Sequence, residues 1–130
     1  MSACNQPHSD ERQIILAMEA IQAAADDKQL SDIMVHFHAS FLGNRNMRKQ
    51  QLQAYFYYHF RGNPTVRVYL SNTEISVEGE EAEVSCHILV TGSQKNLPDR
   101  GRLYQIQSSW KKIEGRWQVI DADWEDALNE

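Results

Sequence analysis

The spacing of hydrophobic residues divides the chain into a helical first half and a stranded second half. In the first segment, the hydrophobic residues recur at helical spacing and form one apolar face, made of Ile14, Met18, Ile21 and Ala25. Ser9 or Asp10 can cap this helix, because both side chains accept hydrogen bonds from exposed backbone amides. The pattern therefore predicts a first helix that is capped at residue 9 or 10 and ends near residues 26–27.

Two further helices are predicted before residue 65. A shorter helix spans about residues 29–36, and a short strand at residues 41–42 ends at Gly43. Asn46 can cap a third helix that runs to about Arg61. Pro64 ends this segment, because proline biases the residue before it away from helix.

From residue 65 onward the hydrophobic period changes to two, which is typical of strands. Hydrophobic residues alternate from Val66 to Leu70, whereas Ile75 and Val77 have the opposite parity. A bulge or bend near residues 71–73 would reconcile the two halves of this strand. Gly79 marks a hairpin turn, and a regular buried stripe follows over residues 82–90.

A polar loop over residues 92–101 precedes the last two predicted strands, at residues 102–113 and 116–124. Helices followed by hairpin-linked strands indicate an α+β domain rather than a parallel βαβ sheet. We expect amino-terminal helices packed on a strongly curved antiparallel sheet, which leaves a cone whose open end suits a pocket. Residues 1–8 are predicted to be a flexible tail, and residues 9–130 a single domain, as the chain length suggests.

The balance of charge argues against nucleic acid as a partner. The formal net charge is −5, and phosphate binding needs a concentrated basic face. Arg45, Arg48 and Lys49 form a short basic group that one solvated helix start explains. The two cysteines cannot form a disulfide framework, and Cys86 is interpreted as a small core residue because it lies in an alternating hydrophobic run.

Two acidic residues on the last strand are the candidates for catalysis. Asp121 and Asp123 are two residues apart, so both should lie on one face of the strand. Paired carboxylates in a cleft could raise one pKa and supply a general base. The favoured alternative places them on the solvent face or in ion pairs with Arg102 or Arg116.

Histidines could supply a metal site only if three of them converge. His36 and His38 could provide two ligands and either His59 or His87 a third, since zinc needs three or four convergent ligands. Helix and strand positions explain each histidine more simply, so neither a metal nor a cofactor is predicted. The six glycines are isolated from one another and form no phosphate-binding loop.

Aromatic residues are concentrated on the third helix and the last two strands. The residues assigned to the ligand pocket are Tyr58, Tyr104, Trp110 and Trp117, with Arg102 and Asp121 as its polar contacts. Strand parity places Trp117 and Asp121 on one face and Trp124 on the other. The second aromatic face could form a homodimer interface or be covered by the tail of the chain.

Three segments resemble the nuclear-transport-factor-2-like superfamily, which has the cystatin-like cone fold. They are Asp-Asp-Lys at residues 26–28 followed by Phe-Leu at 41–42, the hairpin at 77–82 and the ending Trp-Lys-Lys-Ile-Glu-Gly-Arg-Trp at 110–117. The likeness covers about residues 10–126. It implies a fold but no single function, because this superfold includes isomerases, dehydratases, hydrolases and noncatalytic domains.

Other segments resemble small bacterial envelope lipoproteins of the same superfamily. These are Gly-Asn at residues 43–44, Leu-Pro at 97–98 and Ala-Asp-Trp-Glu at 122–125. Such lipoproteins carry a signal peptide that ends in two small residues and a lipidated cysteine, and Ser2, Ala3 and Cys4 fit those positions. The resemblance implies a lipid on Cys4 and a place in the bacterial cell envelope, with a cytoplasmic location as the alternative.

These observations together predict a noncatalytic envelope lipoprotein domain. Its cone pocket would take a small apolar or amphipathic ligand, or the domain would act by protein contact. It would meet the membrane only through a lipid on Cys4. The alternative is a hydrolase, isomerase or dehydratase of the same fold that uses Asp121 or Asp123 as its general base.

Overall fold

A computed structural model describes residues 9–93 and 100–127 of the chain. The elements in chain order are α1 (Asp10–Asp26), α2 (Leu30–Met34), β1 (Phe37–Gly43), β2 (Met47–Arg48), α3 (Lys49–Gly62), β3 (Thr65–Glu78), β4 (Glu81–Ser93), β5 (Arg100–Ile113) and β6 (Arg116–Asp126). The strands form one sheet in the order β2-β1-β6-β5-β4-β3. The predicted α+β class is confirmed, and the sheet contains one parallel pairing, between β1 and β6.

Helix α1 follows from its cap and its apolar face. The backbone amide of Arg12 donates to Ser9 Oγ at 3.1 Å, which satisfies one of the exposed amides of the first turn. The buried face is made of Ile14, Met18, Ala24 and Ala25. Asp10 accepts hydrogen bonds from Lys112 Nζ at 2.9 Å and from Trp117 Nε1 at 3.2 Å. The start of α1 is therefore fixed to the hairpin between β5 and β6.

The start of α3 differs from the prediction. Asn46 lies in a tight turn, in which its backbone amide donates to Gly43 O at 3.1 Å. Arg48 is the cap residue, and its amide donates to the side chain of Gln51 at 2.7 Å. The preceding Met47 pairs with Gly43 in a short strand. A strand therefore occupies the positions that the sequence assigned to the first turn of the helix.

The bulge predicted in β3 is confirmed. The register against β4 shifts between Ser71 and Glu74, and Asn72 adopts a φ of 53°. The hairpin turn between β3 and β4 is also confirmed, and Gly79 in it has a φ of 66°. The shift allows both halves of β3 to present their hydrophobic residues to the helices, although those residues have opposite parity.

A second bulge, in β6, was not predicted. Trp110 of β5 pairs with Val119, whereas Ser109, the residue before Trp110, pairs with Asp121, so Ile120 is the extra residue. The bulge reverses the parity of the strand, and Trp124 packs against the same hydrophobic core that contains Trp117. The prediction that the two tryptophans occupy opposite faces is wrong. The tryptophan on which the expected dimer face depended lies on the inner face.

The core lies between the helices and the inner face of the sheet. Its most completely buried side chains are Phe41, Ile14, Ile33, Val66 and Val84. Cys86 is buried as predicted, and burial raises the pKa of its thiol to about 11. Among the residues described, no helix is long and apolar enough to cross a membrane.

Candidate functional site

The inner face of the sheet opens toward one end of β5. Along this strand the inward-facing residues change from buried Trp110 and Ser108, through half-buried Ile106 and Tyr104, to exposed Arg102. Burial therefore decreases steadily toward Arg102, as expected at the open end of a cone. We call this end the mouth, and we define the mouth cluster as Tyr55, His59, Arg102, Tyr104 and Asp126.

Arg102 is held by two neighbours at the mouth. Its Nη2 lies 3.2 Å from Asp126 Oδ2, and its guanidinium carbon lies 5.7 Å from the centre of the Tyr104 ring. Tyr104 and Asp126 are register partners on β5 and β6, so the sheet itself brings them together. The side chains of Arg102 and Asp126 are 63% and 30% exposed, so this ion pair orients the guanidinium and adds little stability.

Tyr55 reaches from α3 toward β5. Burial raises the pKa of Tyr55; its contact and hydrogen bond with Tyr104 raise this pKa further, while Arg102 opposes the shift. The hydroxyl therefore stays protonated at neutral pH and can donate a hydrogen bond. Because Tyr55 remains 47% exposed, this tyrosine pair joins the helix to the sheet at the rim of the mouth.

His59 lies one helical turn after Tyr55, and the two rings stack with their centres 6.4 Å apart. Burial lowers the pKa of His59, and the nearby Lys28 lowers it further, so the ring is neutral at neutral pH. Its Nε2 is buried and has no hydrogen-bond partner among the described residues. A buried polar atom without a partner costs about 1–3 kcal/mol, so this nitrogen suits the polar group of a ligand or water.

Lys28 fixes the carboxyl end of α3 beside His59. Its ammonium group donates to Phe60 O at 3.1 Å and to Pro64 O at 2.9 Å, and also to the carbonyl of Asn63. These carbonyls lie at or beyond the end of the helix, where no further turn can satisfy them. The same contacts place the positive charge of Lys28 close to His59. This charge is the second cause, after burial, of the lowered pKa of His59.

The structure separates the residues that the sequence assigned to one pocket. Arg102 and Tyr104 lie at the mouth. Trp110 and Trp117 are only 3% and 5% exposed, and their indole N–H groups donate to Ser108 Oγ at 2.9 Å and to Asp10 at 3.2 Å. Tyr58 is 70% exposed on the outer surface of α3. The tryptophans therefore belong to the wall of the cone, and Tyr58 faces away from it.

The predicted acidic candidates lie on the outer face of the sheet. Asp121 and Asp123 are exposed and pair in register with Ser109 and Gln107. Asp121 is therefore not a polar contact of the mouth, because the bulge at Ile120 turns it outward. The acid that does reach the mouth is Asp126, which sequence analysis missed although it shares parity with Trp124.

Two shallow grooves lie outside the mouth. One, of about 320 Å³, runs between α1 and β3 and is lined in part by Met18, Leu70 and Ile75. The other, of about 350 Å³, lies on the outer surface of α3 and is lined by Leu30, Gln50, Gln53, Ala54, Tyr57 and Tyr58.

The candidate metal ligands do not converge. His38 contacts Ser40 and His87 contacts Asn72, each through Nδ1, at 2.8 and 2.7 Å. His36 is half-buried beside β6, where its carbonyl accepts from Val119 N. Within residues 9–93 and 100–127 no three His, Cys, Asp or Glu side chains form a group that could hold a metal ion. Cys4 and the Leu-Pro pair at residues 97–98 lie outside the described residues.

No protein-family model and no curated protein matches the sequence. Solved structures do match. A protein from Streptomyces avermitilis, provisionally named a dehydratase of the nuclear-transport-factor-2-like family, superposes with a TM-score of 0.79 at 14% identity, over 95% of this chain and 100% of that one. A provisionally named scytalone dehydratase from Novosphingobium aromaticivorans gives 0.82 at 17% identity, over 92% and 85%.

A protein of unknown function with a cystatin-like fold, from Nostoc punctiforme, gives a TM-score of 0.74 at 18% identity, over 99% of this chain and 96% of that chain. Identities this low carry information about the backbone and not about the chemistry of the site. The superpositions nevertheless span nearly the whole of each chain. The chain therefore has the nuclear-transport-factor-2-like, cystatin-like fold.

Proposed function

We propose that this domain binds a small amphipathic molecule at the mouth of the cone and does not transform it. One observation carries the proposal: the acid at the mouth, Asp126, is already paired with Arg102 at 3.2 Å. A general base needs an available carboxylate within reach of the substrate, whereas a binding site needs oriented donors and apolar surface. Arg102 with the hydroxyls of Tyr55 and Tyr104 supplies the donors, and the tyrosine rings supply the surface.

The chemistry of these groups narrows the class of ligand. A guanidinium held over a tyrosine ring favours an anionic or strongly polar head, because it carries a positive charge and five N–H donors in a planar fork that suits carboxylate-like groups. The neutral His59 can accept from or donate to a hydroxyl deeper in the mouth. A ring or short hydrocarbon with one acidic or hydroxyl head group could contact both Arg102 and His59.

The test is a fluorescence titration with 1-anilinonaphthalene-8-sulfonate, an aromatic anion of this class. Arg102→Gln should weaken its binding by ~10-fold, which corresponds to the loss of one charge-assisted hydrogen bond. Arg116→Gln is the matched control, because Arg116 is also an exposed arginine of the last two strands but lies at the opposite end of β6. Equal affinity of wild type and Arg102→Gln would contradict the proposal. Native mass spectrometry of the same samples reports any retained compound and any homodimer.

A second candidate function is lyase chemistry at the same mouth. It is favoured by the buried, neutral Nε2 of His59, which could take a proton, and by the provisional names of two proteins with this fold. A compound retained in native mass spectra would distinguish the two. Recovery of that compound with one water lost, by wild type but not by His59→Gln, would establish the lyase and exclude simple binding.

We also propose that the domain is held at the bacterial cell envelope by a lipid on Cys4. The proposal is supported by the resemblance of Ser2, Ala3 and Cys4 to the end of a lipoprotein signal. Expression of the full reading frame in bacteria fed an alkyne-labelled fatty acid should label the wild-type protein and leave Cys4→Ser unlabelled. Absence of label from the wild type would support a cytoplasmic location instead.

A further inference from the structure

The charges of this acidic protein are unevenly distributed along the chain. No Asp or Glu occurs between Asp32 and Glu74, and this stretch contains five cations, Arg45, Arg48, Lys49, Arg61 and Arg67. The rest of the chain contains eight Lys and Arg against all eighteen Asp and Glu, a balance of −10. The cation-rich stretch includes all of α3, so one helix of an acidic domain has a surface without negative charge.

The outer surface of α3 is also unusually aromatic. Tyr57 is 47% exposed and Tyr58 is 70% exposed, and their rings contact each other edge to face at 5.5 Å. With Leu30 and Ala54 they line the groove of about 350 Å³ on this helix. Neither tyrosine belongs to the mouth cluster, because both lie on the opposite side of α3 from the buried Leu52.

Cations flank these tyrosines at both ends of the helix. Arg61 Nη1 donates to the Tyr57 hydroxyl at 3.2 Å, and its guanidinium lies 5.6 Å from the centre of that ring. Arg48 and Lys49 begin the helix, which is about 21 Å long at 1.5 Å per residue. Two adjacent tyrosines and Arg61 are thus displayed together on the outer surface of α3, and two more cations lie at the amino end of the same helix.

We propose that this surface of α3 docks on the headgroup region of a bilayer that contains anionic phospholipid. Tyrosine suits this region because its ring is apolar and its hydroxyl is polar, and lysine and arginine interact with the anionic headgroups. The groove offers room for apolar contact that a purely electrostatic partner would not need. The proposal is independent of ligand binding at the mouth and of the lipid on Cys4.

One acidic segment of the chain lies far from this surface. The cluster at the hairpin between β3 and β4, Glu78 to Glu83, lies at the far end of β3 from α3. Thirteen residues of strand separate them, roughly 40 Å along the chain, whereas charge interactions in water are screened over about 8 Å at physiological salt. Asp27 and Asp32 flank Leu30 in the sequence and are exposed, but neither lines the groove, and α3 itself contains no acidic residue. The charge carried by α3 at contact distance is therefore positive.

The test is co-sedimentation of the domain with vesicles of equal parts phosphatidylglycerol and phosphatidylcholine, compared with vesicles of phosphatidylcholine alone. We expect binding only to the anionic vesicles, decreasing as salt is added. The double variant Arg61→Gln, Tyr58→Ser should reduce the partition coefficient by at least roughly fivefold, the contribution of one cation at an anionic surface. Absence of wild-type binding to the anionic vesicles at low salt would overturn the proposal.

The matched control is the double variant Arg67→Gln, Tyr69→Ser. It also removes one exposed cation and one exposed tyrosine, and Tyr69 is 51% exposed, but both residues lie on β3. The control should partition like the wild type, and an equal loss in both double variants would contradict a role for α3. Competition with an unstructured oligonucleotide tests whether the surface prefers nucleic acid to anionic lipid. If the oligonucleotide binds α3 more tightly than the vesicles do, the surface recognises nucleic acid and the proposal is wrong.

Discussion

A single residue, Gly43, shows how closely the pieces around the inner face fit together. A Cβ atom at this position would lie 2.7 Å from Trp124 Cη2, closer than carbon atoms can approach, and 3.1 Å from Phe41 Cε2, which is a tight contact. Only glycine therefore lets the end of β1 pass beside Trp124. The absence of a side chain here is a packing requirement, since the φ of Gly43 is not positive.

Gly43→Ala should destabilise the domain by ~1–3 kcal/mol, because the added methyl group forces Trp124 or β1 to move in a packed region. Urea denaturation followed by circular dichroism measures this change. Gly62→Ala is the control, because a Cβ at Gly62 meets nothing within 4 Å. Alanine at this helix end should be neutral or slightly stabilising. Equal stability of Gly43→Ala and wild type would show that Trp124 can shift without cost.

At the scale of elements, periodicity predicted the main helices and strands, and parity predicted one of the two bulges. The bulge in β3 was predictable because polar residues separate Val68 and Leu70 from Ile75 and Val77, so the change of parity is visible. In β6 the extra residue is Ile120, which is itself hydrophobic and half-buried. An alternation through Ile120 fits either face, so the pattern alone could not reveal the second bulge.

That bulge also explains which part of the site could be predicted. Arg102 and Tyr104 lie on β5, which pairs with β4 without a change of register, so parity alone predicts that they share a face with Trp110. Asp121 and Asp126 follow the bulge in β6, so their faces are exchanged relative to a regular strand. The isolated Nε2 of His59 depends on tertiary burial between α3 and Lys28, which no sequence period encodes.

At the scale of the whole molecule, two histidines couple folding to pH. Burial lowers the pKa of His36, with Arg116 as a second cause and Asp32 opposing it, and burial followed by Lys28 lowers the pKa of His59. A histidine with a lowered pKa in the folded state takes up a proton more readily when the chain unfolds. Stability is therefore complete above the unfolded pKa of about 6.5 and is lost as the pH falls below it.

Urea denaturation between pH 7.5 and 5 should accordingly show a free energy of unfolding that decreases toward acid, with a slope of at most about 1.4 kcal/mol per pH unit for each proton taken up. His36→Gln and His59→Gln should each flatten this slope, and the double variant should nearly abolish it, because glutamine does not titrate. If the double variant kept the wild-type slope, the pH dependence of the free energy of unfolding would come from groups other than these two histidines. Because His59 lies at the mouth, a ligand hydroxyl that donates to its neutral Nε2 should lose that hydrogen bond when the ring takes up a proton, so binding of such a ligand should weaken together with folding as the pH falls.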